Sequence, residues 1–200
     1  MKLKIGIVPS IKQNYKNQFS YSIDFNWFIF FKKIFKNLDI KILTNKKVPK
    51  LDLVVITGGN TIKDFSKKKE DKIRQDNNIL LFKEILKKKI PCIGICYGAQ
   101  LISHFYSGNL IKSKNHVGKH KITLVDEKNN FFKHKKFNVN SFHDQGIKKI
   151  KKPLKKIFIS KDGNIEMFLH EKNKVLGIMW HPERNLNVSK LDKIIFQKIL

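Results

Sequence analysis

The chain has 200 residues and a formal charge of +26, long enough for one domain with a substantial core and a built active site. Its longest apolar stretches, such as Trp27 to Phe31, fall far short of the roughly 20 residues a membrane-spanning helix needs. The charge invites a nucleic-acid partner, but Arg74 and Arg184 are the only arginines and the lysines are spread over the whole chain. A solvated lysine surface, or a field that draws an anionic substrate, fits better than base or phosphate readout, for which arginine is favoured.

The N-terminal segment Met1 to Pro9 starts basic, but its apolar part is too short for a secretory signal. It reads as a first strand, Lys4 to Val8, of a cytoplasmic protein. Further strands are expected at Ile40 to Thr44, Leu51 to Thr57 and Ile90 to Ile95, separated by helical periodicity over Ile23 to Phe35 and Glu70 to Lys88. In the second helix the apolar set is Ile73, Leu80, Leu81 and Ile85. Such alternation predicts an α/β fold, with a central, mostly parallel sheet flanked by helices. After Phe105 come closely spaced strand-like runs: Asn109 to Lys112, Lys121 to Val125, Phe137 to Asn140, Ile157 to Ser160, Ile165 to His170 and Val175 to Trp180. These imply a small antiparallel excursion in the second half, with hairpin turns at Asp162-Gly163-Asn164 and Glu171 to Lys174. A last helix is expected over Ser189 to Leu200. Without repeats or linkers, residues 1–200 read as a single domain.

The two cysteines, Cys92 and Cys96, would lie about 13 Å apart along a strand, too far for a disulfide. That suits a reducing compartment in which one thiol does chemistry and the other packs. Cys96 ends the apolar strand, and a helical segment from Ala99 begins almost at once. Gly94 and Gly98, two residues to either side, permit the backbone crowding of a nucleophile elbow. A thiol at a helix N-terminus is activated as thiolate by the dipole. Cys92 has no such turn and reads as a packed side chain.

A cysteine nucleophile needs a base and a group that orients it. Trp180-His181-Pro182-Glu183 supplies both, directly after a strand, with Pro182 stiffening the link. Donors for an oxyanion are available from Gly59, in the Thr57-Gly58-Gly59-Asn60 turn, and from the Tyr97 amide just past the thiol.

Together, in this order, the elbow Gly94-Ile95-Cys96-Tyr97-Gly98-Ala99-Gln100 and the His181-Pro182-Glu183 turn resemble the class I glutamine amidotransferase superfamily. The resemblance runs from the first strand to the last helix and implies a flavodoxin-like sheet. It also implies a Cys96-His181-Glu183 triad, an oxyanion hole of Gly59 and Tyr97, and Gln100 beside the γ-glutamyl group. Val139-Asn140-Ser141-Phe142-His143-Asp144-Gln145 is similar to the Val-Asn-Ser-x-His-His-Gln signature of γ-glutamyl hydrolases, which makes His143 a pocket residue or else a satisfied structural histidine. Three positions depart from those hydrolases: Asp144 stands where the signature has histidine, Asn60 where aspartate is common, and Tyr97 where arginine is often seen. Asn60, Gln100 and His143 are therefore the substrate-binding candidates, and the departures leave the leaving amine open.

His116 and His120 have the i, i+4 spacing of a zinc pair, but Gly118 lies between them, the segment reads as loop, and no third ligand is evident. Neither a metal nor a cofactor is expected. His104, His134 and His170 read as structural or exposed.

The expected substrate is a small γ-glutamyl compound, hydrolysed to glutamate and an amine or amidate, and the positive charge favours a nucleotide-linked leaving group. The chain also resembles the γ-glutamyl hydrolases of capsule phosphoramidate biosynthesis, which release cytidine diphosphoramidate. Two other readings stand beside this one: a glutaminase subunit that hands ammonia to a separate synthetase, and a basic nucleic-acid-binding protein. Arg184 reads either as an anion anchor or as the partner of a surface carboxylate.

Overall fold

A computed structural model describes residues 2–113, 116–125, 132 and 134–200. Its main sheet has nine strands. Five form a parallel block: β4 (Leu38–Ile42), β1 (Leu3–Val8), β5 (Leu53–Ile56), β6 (Cys92–Ile95) and β13 (Val175–Ile178). Four more continue it antiparallel: β12 (Ile165–His170), β11 (Leu154–Ser160), β8 (Val117–Leu124) and β9 (Lys136–Phe142). The expected excursion is thus a continuation of the central sheet, nearly as wide as the parallel block. Among the described residues no helix is long and apolar enough to cross a membrane.

Alternation along each central strand feeds two cores. From β5, Leu53 and Val55 face one side, where Trp27, Phe30 and Phe31 of α1 (Asn26–Ile34) meet Leu191, Ile195 and Phe196 of α4 (Lys190–Lys198). Val54 and Ile56 face the other, against Leu81, Phe82 and Ile85 of α2 (Lys69–Lys87) and Leu101 and Ile102 of α3 (Tyr97–Phe105). Each fully buried ring or branched side chain contributes about 1.5–3 kcal/mol. Ser189 caps α4 by accepting a hydrogen bond from the Asp192 amide at 3.0 Å, while Asp192 accepts from the Trp180 indole at 2.8 Å. That pair ties the last helix to the residue before His181.

Two features differ from the sequence expectation. A hairpin of β2 (Ser10–Tyr15) and β3 (Gln18–Ser22) occupies the stretch between the first strand and α1, and β10 (Gln145–Lys149) pairs with β7 (Asn109–Lys112). On α2 the apolar pattern misidentified part of the buried face: Ile73 and Leu80 are 38% and 48% exposed. The buried residues at i, i+3, i+4 and i+7 of its first half are Asp71, Arg74, Gln75 and Asn78.

Candidate active site

Cys96 lies between β6 and α3, with φ 50° and ψ −102°. A non-glycine residue held there costs about 1–3 kcal/mol, and the surroundings enforce it. The Cys96 amide donates to Ile178 O at 2.8 Å, and Gln100 N donates to Cys96 O at 2.9 Å. A Cβ at Gly94 would meet the Gly98 carbonyl at 2.5 Å, and one at Gly98 would meet Ile56 O at 2.2 Å, so only glycine lets the strand and helix approach this closely. The Tyr97 amide, first in α3, is one of the helix's unpaired N–H groups. Cys92, by contrast, is fully enclosed in β6 and burial alone pushes its thiol up.

His181 follows β13, and its Nδ1 is 2.7 Å from Glu183 Oε1. Asn140, from β9, brackets its main chain: His181 N donates to Asn140 Oδ1 at 2.8 Å and Asn140 Nδ2 donates to His181 O at 2.7 Å. The Phe142 ring stands edge-on to the imidazole, 5.7 Å away. Burial works to push the His181 pKa down, but hydrogen bonding to Cys96 and Glu183 and the charges of both prevail and raise it to about 9. Sequence-predicted Cys96, His181 and Glu183 are thus brought together.

The sign of that shift gives a stability prediction. With His181 at about 9 when folded and 6.5 ordinarily, the folded state binds the extra proton between those values. Its stabilisation is complete below pH 6.5 and is lost as pH rises through about 9. The thermal midpoint should therefore fall across that window, less steeply in His181→Asn, and equal slopes in the two proteins would refute the shift.

Sequence reasoning missed Arg74. Its buried guanidinium donates from Nη2 to Thr57 O at 2.7 Å, and from Nη1 to Gly58 O at 2.9 Å and Asn60 Oδ1 at 3.2 Å. It also lies 4.0 Å over the Tyr97 ring. Burial lowers its pKa to about 10, against the charges of Tyr97, Cys96 and Asp71, so it remains cationic at neutral pH. One side chain therefore shapes the glycine turn, packs on the residue after the thiol and places a cation near that thiol. The available signal was its rarity, since it is one of two arginines among 42 basic residues.

A cleft of about 300 Å³ opens beside His181, with Ser10, Lys12, Asp24, Trp27, Gly59 and Arg184 in its wall. A second, of about 290 Å³, shares Ser10, Lys12 and Gly59 and adds Lys68. The unexpected β2–β3 hairpin supplies much of both. Arg184 stacks 4.7 Å over Phe142 and lies 3.9 Å from Oε1 of Glu183, a buried carboxylate and not the surface one that the sequence offered as its partner.

The three substrate-binding candidates lie among neighbouring protein groups. Asn60 donates to Ile11 O at 2.9 Å and Asp71 Oδ1 at 2.7 Å, and accepts from Ile11 N and Arg74, which stitches the hairpin to the glycine turn. Buried Gln100 donates to Gln145 O at 2.9 Å. His143 stacks on His116 at 4.8 Å, and burial lowers its pKa to about 4. Among the described residues, His116, His143 and Glu166 form a group able to hold a metal ion, whereas the sequence, with no third ligand evident beside His116 and His120, gave the expectation of no metal.

Residues 36–183 match the family model described as peptidase C26. A gamma-glutamyl-CDP-amidate hydrolase of Campylobacter jejuni subsp. jejuni serotype O:2 is 35% identical over 138 residues, covering 69% of this chain and 65% of that protein. The chain thus spans slightly less than two thirds of that relative. A glutamine-hydrolysing GMP synthase of Borreliella burgdorferi is 37% identical over 103 residues, half of this chain and 20% of that one. Among solved structures, PurLQS from Thermotoga maritima superposes with a TM-score of 0.73 at 19% identity, covering 100% of this chain and 98% of that one. A glutamine amidotransferase from the same organism superposes at 0.69 with 21% identity, covering 92% and 77%. At such identities the superpositions speak for the fold.

Proposed function

Because the chain belongs to the peptidase C26 family of glutamine amidotransferase-like hydrolases, we propose that it hydrolyses a γ-glutamyl amide through Cys96. The observation that carries this reading is the thiol on a strained turn at the start of α3, coupled to an imidazole that Glu183 holds at 2.7 Å. The Cys96 thiolate attacks the γ-carbonyl carbon, and the oxyanion is met by the Gly59 and Tyr97 amides, where loss of one donor costs roughly 10²–10³ in rate. The C–N bond breaks as His181 gives its proton to the leaving nitrogen. Water, deprotonated by His181, then cleaves the glutamyl thioester and frees glutamate and the thiol. Under this reading residues 1–200 act as one hydrolase domain without a cofactor.

The leaving group we favour is nucleotide-linked, as in γ-glutamyl-CDP-amidate, giving glutamate and cytidine diphosphoramidate. The likeness to the Campylobacter hydrolase supports it, as do Lys12, Lys68 and Arg184 around the paired clefts. The test is a panel of γ-glutamyl nucleotide amidates, γ-glutamyl alkylamines and glutamine, scored by glutamate release from the purified chain alone. The nucleotide conjugate should be preferred, and Lys12→Ala should raise its KM about tenfold by removing one charge-assisted contact, with little change for alkylamines. A preference for alkylamines would refute the nucleotide assignment. The GMP synthase likeness favours a second reading, a glutaminase that serves a synthetase; glutamine hydrolysis only when a partner is added would establish it instead.

A further inference from the structure

Glu166, on β12, is completely enclosed, and neither carboxylate oxygen has a hydrogen-bond partner among the described residues. A buried carboxylate left in that state is costly, so what surrounds it matters. Three imidazoles converge on it: His116 Nδ1 at 3.6 Å and His120 Nε2 at 3.3 Å from Oε1, and His143 Nε2 at 4.0 Å from Oε2. These three nitrogens also lack partners, none of the approaches having hydrogen-bond geometry. Four lone-pair donors facing one another across such gaps are poorly arranged for one another but well arranged for a cation between them. Tetrahedral bonds of about 2.0–2.1 Å separate neighbouring ligand atoms by about 3.3 Å; the ligand atoms of His116, His143 and Glu166 lie within 4.8 Å of one another, and His120 Nε2 lies 3.3 Å from Glu166 Oε1.

We propose that His116, His120, His143 and Glu166 bind a divalent transition metal of the zinc class. Imidazole and carboxylate donors suit zinc, and four protein ligands make a closed, structural site. The surroundings fit: His116 Nε2 lies 2.8 Å from Asp162 Oδ2, the carboxylate–imidazole pairing that fixes a metal-binding tautomer and leaves Nδ1 free to ligate. Gly118, with φ +107°, lies between His116 and His120, whose rings come to 5.1 Å between centroids. The glycine that argued against a zinc pair in the sequence does not keep the two rings apart. The remaining ligands come from the β9–β10 turn and from β12, so the ion would fasten three segments of the antiparallel half. β9 is also the strand whose Asn140 brackets His181.

The test uses untagged full-length protein stripped with a chelator and titrated with Co²⁺, then Zn²⁺. One equivalent of Co²⁺ should bind with the intense visible absorption of four-coordinate cobalt, Zn²⁺ should displace it, and the thermal midpoint should rise. Glu166→Gln and His143→Ala should each lose the band, whereas Cys96→Ser should keep it. If either variant fails to fold, as judged by circular dichroism, the stoichiometry and band of the parent and Cys96→Ser proteins still decide. No bound cobalt, a band that survives Glu166→Gln, or one that vanishes in Cys96→Ser would overturn the site. These readouts do not depend on hydrolysis, so the metal site and the γ-glutamyl reading fail separately.

Discussion

Cys96→Ala should reduce glutamate release at least about 10⁴-fold, the scale seen when the nucleophile of a triad is removed, while leaving the fold intact. Alanine keeps the backbone that Ile178 and Gln100 hold and pays the same positive-φ strain, so the loss would be chemical. Cys92→Ala is the matched control: it removes a thiol that is fully buried in β6, so it should lower stability modestly and spare the rate. Parent-like activity in Cys96→Ala, or a comparable loss in Cys92→Ala, would remove the nucleophile assignment.

The largest stability effect should come from Arg74→Met. Methionine fills much of the volume but leaves the Thr57 and Gly58 carbonyls, which now accept from the guanidinium at 2.7 and 2.9 Å, without a donor. Unsatisfied buried acceptors cost about 1–3 kcal/mol each, so a loss on the order of 2–5 kcal/mol is expected from urea unfolding. Turnover should fall as well, because the Gly59 amide depends on the same turn. Arg74→Lys, which keeps the charge without the two-pronged geometry, should recover only part of either quantity. A change below about 1 kcal/mol in Arg74→Met would show that the turn holds itself.

Elements that announce themselves locally were legible. Short β-branched apolar runs marked the parallel strands, Ser189 marked the start of α4, and Asp162-Gly163-Asn164 marked the β11–β12 turn. The turn at Cys96 was legible for the same reason, since an elbow is written in nearby glycines. What could not be read depends on distant partners. The β2–β3 hairpin is polar and half-exposed, so no core-facing alternation marks it. On α2, Asp71, Arg74 and Gln75 are buried with hydrogen-bond partners in the Thr57 to Lys63 segment, and Arg74 also lies over Tyr97. Hydrophobic periodicity, which assumes that buried means apolar, found Leu81 and Ile85 but not these polar residues. The histidine cluster combines three segments far apart in sequence, and its i, i+4 pair lies just before and within a strand, not on a helix. The hydrogen bonds that Asn60 and Gln100 make to Ile11, Asp71 and Gln145 were likewise beyond the sequence, because they too join distant segments.

Hydrolysis through Cys96 requires a covalent glutamyl intermediate on that thiol. Acid quenching during turnover of a γ-glutamyl amide, followed by mass spectrometry of the peptides, should find a glutamyl group on the Cys96 peptide that disappears on alkaline or hydroxylamine treatment. A glutamyl group on Cys92, or turnover with no acylated cysteine even after rapid quenching, would contradict it.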